Sequence, residues 1–203
     1  MRKYFLFLIT LIPINILKIF LLNLFKGNHI NFKSKIGIGI FFNCNEINIF
    51  NSSIGHLNYF VSENIILKNS NIKNMNHFSN LKILKCQEKS IIGSYNLIKS
   101  KNEKKKGYLK LNKSQISSNF IIEFYKNLYF GTDVVLGGTN TKIISNNLNK
   151  SSTIFLRNIF IGSNVIILDG VRIYKDIIIG ANTLVDKNLN KSGKYFSKKL
   201  IKI

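Results

Sequence analysis

The chain has 203 residues, 45% of them hydrophobic, which is enough for one well-buried core and too little for two comfortable domains. Thirty Lys and Arg stand against nine Asp and Glu, a formal net charge of +21. Only Arg2, Arg157 and Arg172 are arginines, and no constellation of arginine forks with interleaved aromatics stands out, which argues against a nucleic-acid reader. The charge predicts attraction to anionic surfaces and to phosphate-bearing ligands. Cys44 and Cys86 share no short spacing with each other or with His29, His56 or His77, so no metal site is expected. Two scattered thiols fit a reducing compartment, the cytoplasm.

Residues 1–28 form an N-terminal hydrophobic segment. Met1-Arg2-Lys3 precedes an apolar run from Tyr4 to Leu17 that is interrupted by Pro13 and Asn15, and Lys18, Asn23 and Lys26 follow among further Leu, Ile and Phe. No Ala-x-Ala-like cleavage site is present. A spanning helix of about 20 apolar residues would have to absorb Pro13, Asn15 and Lys18. The pattern predicts two short helical pieces joined at Pro13. These cap the structure that follows or lie in a membrane interface, giving a peripheral membrane association, with plain membrane anchoring and a signal sequence as the alternatives.

Residues 29–203 carry a period of six. In the first half Ile30, Ile36 and Phe42 keep the step, then Ile54, Phe60, Ile66, Ile72, Phe78 and Leu84, then Ile92 and Ile98 after a shift. The lysine-rich stretch at 99–110 is expected to be a solvated loop. Phe124, Phe130 and Leu136 resume the step, a second loop rich in Asn and Ser is expected at 141–154, and Phe155, Ile161, Ile167, Ile173, Ile179 and Val185 follow without a miss. After each large apolar residue come often Gly, then any residue, then Asn or Asp, as in Ile161-Gly162-Ser163-Asn164-Val165. A period of six suits neither an amphipathic helix nor a plain alternating strand. It suits a short strand followed by a tight corner, where Gly, Asn and Asp tolerate left-handed backbone. Three such sides close a coil of about 18 residues, and coils stack at about 4.8 Å. The fold class expected is all-β: a left-handed parallel β-helix of hexapeptide repeats with a short N-terminal helical segment.

Over roughly residues 30–203 the chain resembles the hexapeptide-repeat acyltransferases, in particular the branch that modifies sugars of bacterial surface polysaccharides. The resemblance is carried by Ser117–Glu123, by Phe130-Gly131-Thr132-Asp133-Val134-Val135-Leu136-Gly137-Gly138, by Ile161–Val171, and by the turns at Ile54-Gly55-His56-Leu57-Asn58 and Ile92-Gly93-Ser94-Tyr95-Asn96. It implies a homotrimer with sites between subunits. Acyl-CoA, acetyl-CoA above all, would serve as cosubstrate, and the acceptor would be a hydroxyl or amine of a sugar or polysaccharide precursor. It also implies a place in the cytoplasm, at the inner face of the cytoplasmic membrane. In similar proteins a loop histidine takes the acceptor's proton. The matching position here is Asn146, and that of another frequent histidine is Phe120. The candidates for the catalytic step are therefore Asn146, which can only donate and accept hydrogen bonds, Glu123 and His56; His29 and His77 have weaker cases. The candidates for holding acyl-CoA are Gly137, Gly138, Gly162, Ser163, Gly180 and Ala181 at corners, where backbone can approach a ligand, with Lys187 and Lys198 for the phosphates. The alternative is a non-catalytic relative with a structural or assembly role.

Overall fold

The computed structural model describes residues 1–102, 105–144 and 151–197. Helix α1 (Arg2–Thr10) and helix α2 (Asn15–Asn23) come first, and the rest of the described chain winds into a single 20-stranded sheet. Every pairing in it is parallel, which makes the protein a parallel β-helix. Three flat faces repeat along the stack. Face 1 runs through Lys35–Ile36, Ser53–Ile54, Asn71–Ile72, Ile91–Ile92 and Gln115–Ile116 up to Gly193–Tyr195. Face 2 runs from Phe41–Asn43 to Leu184–Val185. Face 3 begins at Asn28–Ile30 and passes through Glu46–Phe50 and Gly107–Asn112. Equivalent residues such as Ile36, Ile54 and Ile72 are 18 apart, three hexads per coil.

The hexad positions are the core. Phe155, Ile161, Ile167, Ile173, Ile179 and Val185 are all buried. Phe42, Phe60 and Phe78 stack face to face inside, with ring centroids 5.4 and 4.9 Å apart, and Phe130 stacks on Phe155 at 4.7 Å. Each such side chain contributes roughly 1.5–3 kcal/mol by leaving water. The corners explain the Asn and Asp of the motif. Asn119, Asn140, Asn164 and Asn182 hold the corner between faces 1 and 2 at φ of 54–64°, and Asp133, Asn158 and Asp176 hold that between faces 3 and 1 at 50–59°.

Buried polar ladders tie coil to coil. Asn58, Asn76 and Asn96 lie one above another inside the corner between faces 1 and 2, where Asn76 Nδ2 donates to Asn58 Oδ1 and Asn96 Nδ2 to Asn76 Oδ1. At the corner between faces 3 and 1, the N–H of Ser52 donates to Ser34 Oγ and that of Ser70 to Ser52 Oγ.

Three expectations need correction. Ile66 keeps the six-residue step but points outward; Ile65 and Leu67 fill the interior on face 3, because that strand alternates sides around the corner at Ser62. The loop expected at 99–110 is shorter, since Leu97–Ser100 and Gly107–Asn112 are strands paired to neighbouring coils. The loop expected at 141–154 is likewise invaded by the strands Lys142–Ile144 and Thr153–Ile161, and its centre, 145–150, lies outside the described residues. Strand pairing prevails in both because each flanking coil leaves backbone donors and acceptors that must be matched.

Helices α1 and α2 close the first coil. That coil has no preceding coil to pair with, and side chains take over the backbone partners. Asn15 gives its Nδ2 to Ser34 O (2.9 Å) and receives the Ile36 N–H (2.9 Å), and Asn23 treats Ile30 the same way (2.9 and 2.8 Å). Lys18 Nζ donates to Ile36 O and Gly37 O at 2.8 Å each, and Thr10 Oγ1 donates to Ile40 O. Lys18 is 1% exposed, and burial lowers its pKa.

Candidate active-site face

Face 2 presents one outward column in register from coil to coil: Phe41, Tyr59, His77, Leu97, Ile121, Lys142, Ile166 and Leu184. The side chains point out because the strand alternates and their neighbours point in. The Phe41 and Tyr59 rings stack at 4.8 Å, and the His77 imidazole stacks on Tyr59 at 4.6 Å. Two residues further along the strands, Ser79, Lys99 and Glu123 form a second column. Desolvation against the stack, and secondarily the Lys99 charge, lower the His77 pKa, so its imidazole is neutral at neutral pH. Glu123 pairs with Lys101, Nζ to Oε1 2.9 Å. The register sets His77 and Glu123 two coils apart, roughly 10 Å at strand spacing, too far for a hydrogen bond.

His56 sits elsewhere, on the corner between faces 1 and 2, and has an identifiable structural task. The N–H of Ile38 donates to His56 Nδ1 (3.2 Å), and that of His56 to Asn74 Oδ1 (2.8 Å). The N–H of Asn74 donates to Ser94 Oγ, and that of Ser94 to Ser118 Oγ. His56 thus occupies a ladder position that Asn and Ser fill in other coils. With Nδ1 accepting, the neutral ring carries its proton on Nε2 and has no second lone pair to offer. It borders a groove of about 580 Å³ between α2 and face 1, where Lys18, Lys35, Lys73 and Asn74 also lie.

The glycines named for the cosubstrate lie on this same corner, in the last coils, and close packing accounts for them. A Cβ on Gly138 would stand 2.2 Å from the Ser163 nitrogen, one on Gly137 would meet the Phe160 ring at 2.6 Å, and one on Gly180 would meet the Phe196 ring at 2.2 Å. The sequence predicts that the amides of Gly162 and Gly180 are open to a ligand; they are instead engaged, donating to Ile179 O (2.9 Å) and Tyr195 O (2.8 Å) of the next coil, because stacked coils pair their backbones at the corners too. Ser163 Oγ accepts the Thr139 N–H at 3.2 Å, while Ala181 and Lys187 are exposed. Asn146 and Lys198 lie outside the described residues.

The longer coils carry their extra residues in the sequence between a face 2 strand and the face 3 strand that follows. Residues 101–106 follow the face 2 strand Leu97–Ser100, and 145–150 follow Lys142–Ile144. At the corner between faces 2 and 3, Asp169 is buried; it accepts the Tyr125 N–H (2.5 Å), the Thr153 hydroxyl (2.5 Å) and the Gly170 N–H (3.0 Å), and burial raises its pKa in spite of these bonds. Cys44 and Cys86 are buried with thiols pushed up to about 12, which removes them as nucleophiles. Among the described residues no group of three or more His, Cys, Asp or Glu is assembled to hold a metal. Sequence reasoning ranked His77 below His56. The signal that could have promoted it is its 18-residue spacing from Tyr59 and Phe41, which puts three rings in one column.

Neither a protein-family model nor any curated protein matches this chain. What the fold and this face define is a hexad-repeat parallel β-helix with one face that carries an apolar track, lysines and a neutral imidazole.

Proposed function

We propose that this protein is an acyl-CoA-dependent acyltransferase, in the first instance an acetyltransferase, acting on a hydroxyl or amine of a sugar or polysaccharide precursor. The observation that carries this reading is the composition of face 2. Leu97, Ile121 and Ile166 offer an apolar track, Lys142 lies within it and Lys99 beside it, and His77 supplies a base. A thioester cosubstrate with phosphates needs the first two, and a sugar hydroxyl, a poor nucleophile at neutral pH, needs the third. In the proposed step His77 takes the acceptor's proton as its oxygen attacks the thioester carbonyl. The new C–O bond forms, the C–S bond breaks, and the leaving thiolate collects the proton from the imidazolium. The acyl-CoA phosphates lie toward Lys187 beside Ser163 and Ala181, and its arm runs down face 2 past Ile166 and Ile121 to bring the thioester to His77, two coils below Ile121. Asn146, at the position where similar proteins carry the loop histidine, orients the acceptor. A homotrimer would cover the apolar columns and complete the site, and the cytoplasm supplies the cosubstrate.

The test is thiol release from acetyl-CoA with and without candidate acceptor sugars. Acceptor-dependent release that falls 10²–10⁴-fold in His77→Gln and is unchanged in His56→Ala supports the reading. Release unaffected by His77→Gln overturns the assignment of the base. The second reading, a non-catalytic relative, is favoured by the engagement of His56 in the corner ladder and of Glu123 with Lys101; it predicts no release above the uncatalysed rate.

A further inference from the structure

Helices α1 and α2 are apolar on their outer face as well as their inner one. Thr10, Asn15, Lys18 and Asn23 turn inward and bond the first coil, beside the buried Leu6, Ile19 and Leu22, while Arg2 and Lys3 lie at the start of α1. The surface they leave toward solvent is hydrocarbon: Phe5, Leu8, Ile16, Phe20 and Leu24 are 51–67% exposed, and Ile14 between the helices is 61% exposed. A soluble helix normally has the opposite arrangement. Each helix has nine residues, about 14 Å, and no helix among the described residues is long and apolar enough to cross a membrane. The first 45 residues hold Arg2, Lys3, Lys18, Lys26, Lys33 and Lys35 and no acid; Glu46 is the first.

We propose that this end of the prism is a membrane-docking plate: α1 and α2 lie in the interface of an anionic bilayer, and the coil axis points away from it. A hydrocarbon face rimmed by cations complements the acyl boundary and the headgroups of such a bilayer. A second copy does not complement it, because an isologous contact would set Arg2, Lys3 and Lys26 against their own copies. The helices lie across the open end of the stack, so the membrane sets the height of everything above it. Eight coil steps separate Ile36 from Tyr195, roughly 40 Å at strand spacing. Face 2 then rises out of the bilayer surface, with His77 two coils, roughly 10 Å, above Phe41.

The chain has no tryptophan, so a single one reports alone. Phe20→Trp should shift its emission to the blue on adding vesicles of phosphatidylcholine with phosphatidylglycerol, and less with phosphatidylcholine alone. Phe196→Trp, at the far end and 64% exposed, should not shift. Leu8→Gln and Phe20→Gln, both at exposed sites, should keep the circular dichroism and each lower co-sedimentation with the mixed vesicles roughly tenfold. Undiminished sedimentation of these variants would mean attraction by lysines alone and would overturn the plate. So would absence of vesicle binding together with a change of oligomeric size in Leu8→Gln, which would mark the plate as a contact between copies.

Discussion

Replacing Asn76 by Ala tests how much of the stack rests on its buried amide ladder. Asn76 is 1% exposed. Its Nδ2 donates to Asn58 Oδ1 (3.1 Å) and Lys73 O (3.2 Å), and its Oδ1 accepts the Asn96 N–H (3.0 Å) and Asn96 Nδ2 (3.0 Å). After truncation Asn58 Oδ1 keeps the Asn76 N–H, Lys73 O keeps Asn58 Nδ2, and Asn96 Nδ2 keeps Ser117 O. The Asn96 N–H loses its acceptor in a buried corner, which costs about 1–3 kcal/mol, and the remaining lost bonds add about 1 kcal/mol together or somewhat more. We predict a loss of about 3 kcal/mol, within a factor of two, a large part of a typical folding free energy of about 5–15 kcal/mol. Urea unfolding followed by circular dichroism measures it, with the slope against urea checking that the transition has not changed character. Asn76→Asp separates the two halves of the amide: it keeps acceptors for Asn96 but turns an oxygen toward Asn58 Oδ1. A loss below about 1 kcal/mol for Asn76→Ala, at unchanged slope, would refute the claim that an unpaired corner amide governs stability here.

Further predictions concern strain, proton transfer and assembly. Met75 holds φ of 56° and is 44% exposed at a corner position that Asn119, Asn164 and Asn182 hold in other coils; Met75→Asn should stabilise by about 0.5–1 kcal/mol in thermal unfolding, and any destabilisation contradicts the strain argument. Because burial lowers the His77 pKa, the base form persists below its ordinary value near 6.5. Thiol release should therefore climb through that lowered pKa and be level above it, while stability falls on the acid side, as protonation favours the unfolded chain; His77→Gln should remove both effects. Asn146→His should change the rate little, because His77 already supplies the base, and a gain toward the 10²–10⁴-fold that a general base supplies would show that His77 does not act as one. Light scattering should give a trimer, and a stable monomer at micromolar concentration would count against the shared site.

The C-terminal coils were the most legible part of the chain. From Phe155 to Val185 every sixth residue is buried, and Asn164, Asp176 and Asn182 take the left-handed corner conformation that their place in the motif demands. Where a coil deviates by one residue the period misleads: Ile66 fits the step, yet Ile65 and Leu67 face in. Loop limits failed for a related reason, since composition marks Lys110 as solvated while the pairing of Lys110 with Lys85 and Tyr129 makes it strand. In the N-terminal helices Asn15, Lys18 and Asn23 read as interruptions of an apolar run. Their purpose depends on the coil edge beneath them, which the linear chain does not display. The partnership of Glu123 with Lys101 was hidden as well, because coils of unequal length obscure which residues become neighbours across the stack.

The most direct test of the central claim is a crystal structure of the protein soaked with coenzyme A. The account predicts the cofactor on face 2, its phosphates near Lys187 and its pantetheine arm running past Ile166 and Ile121 toward His77. Coenzyme A bound only in the groove beside Lys18 and His56, or absent at a concentration that supports turnover, would contradict it.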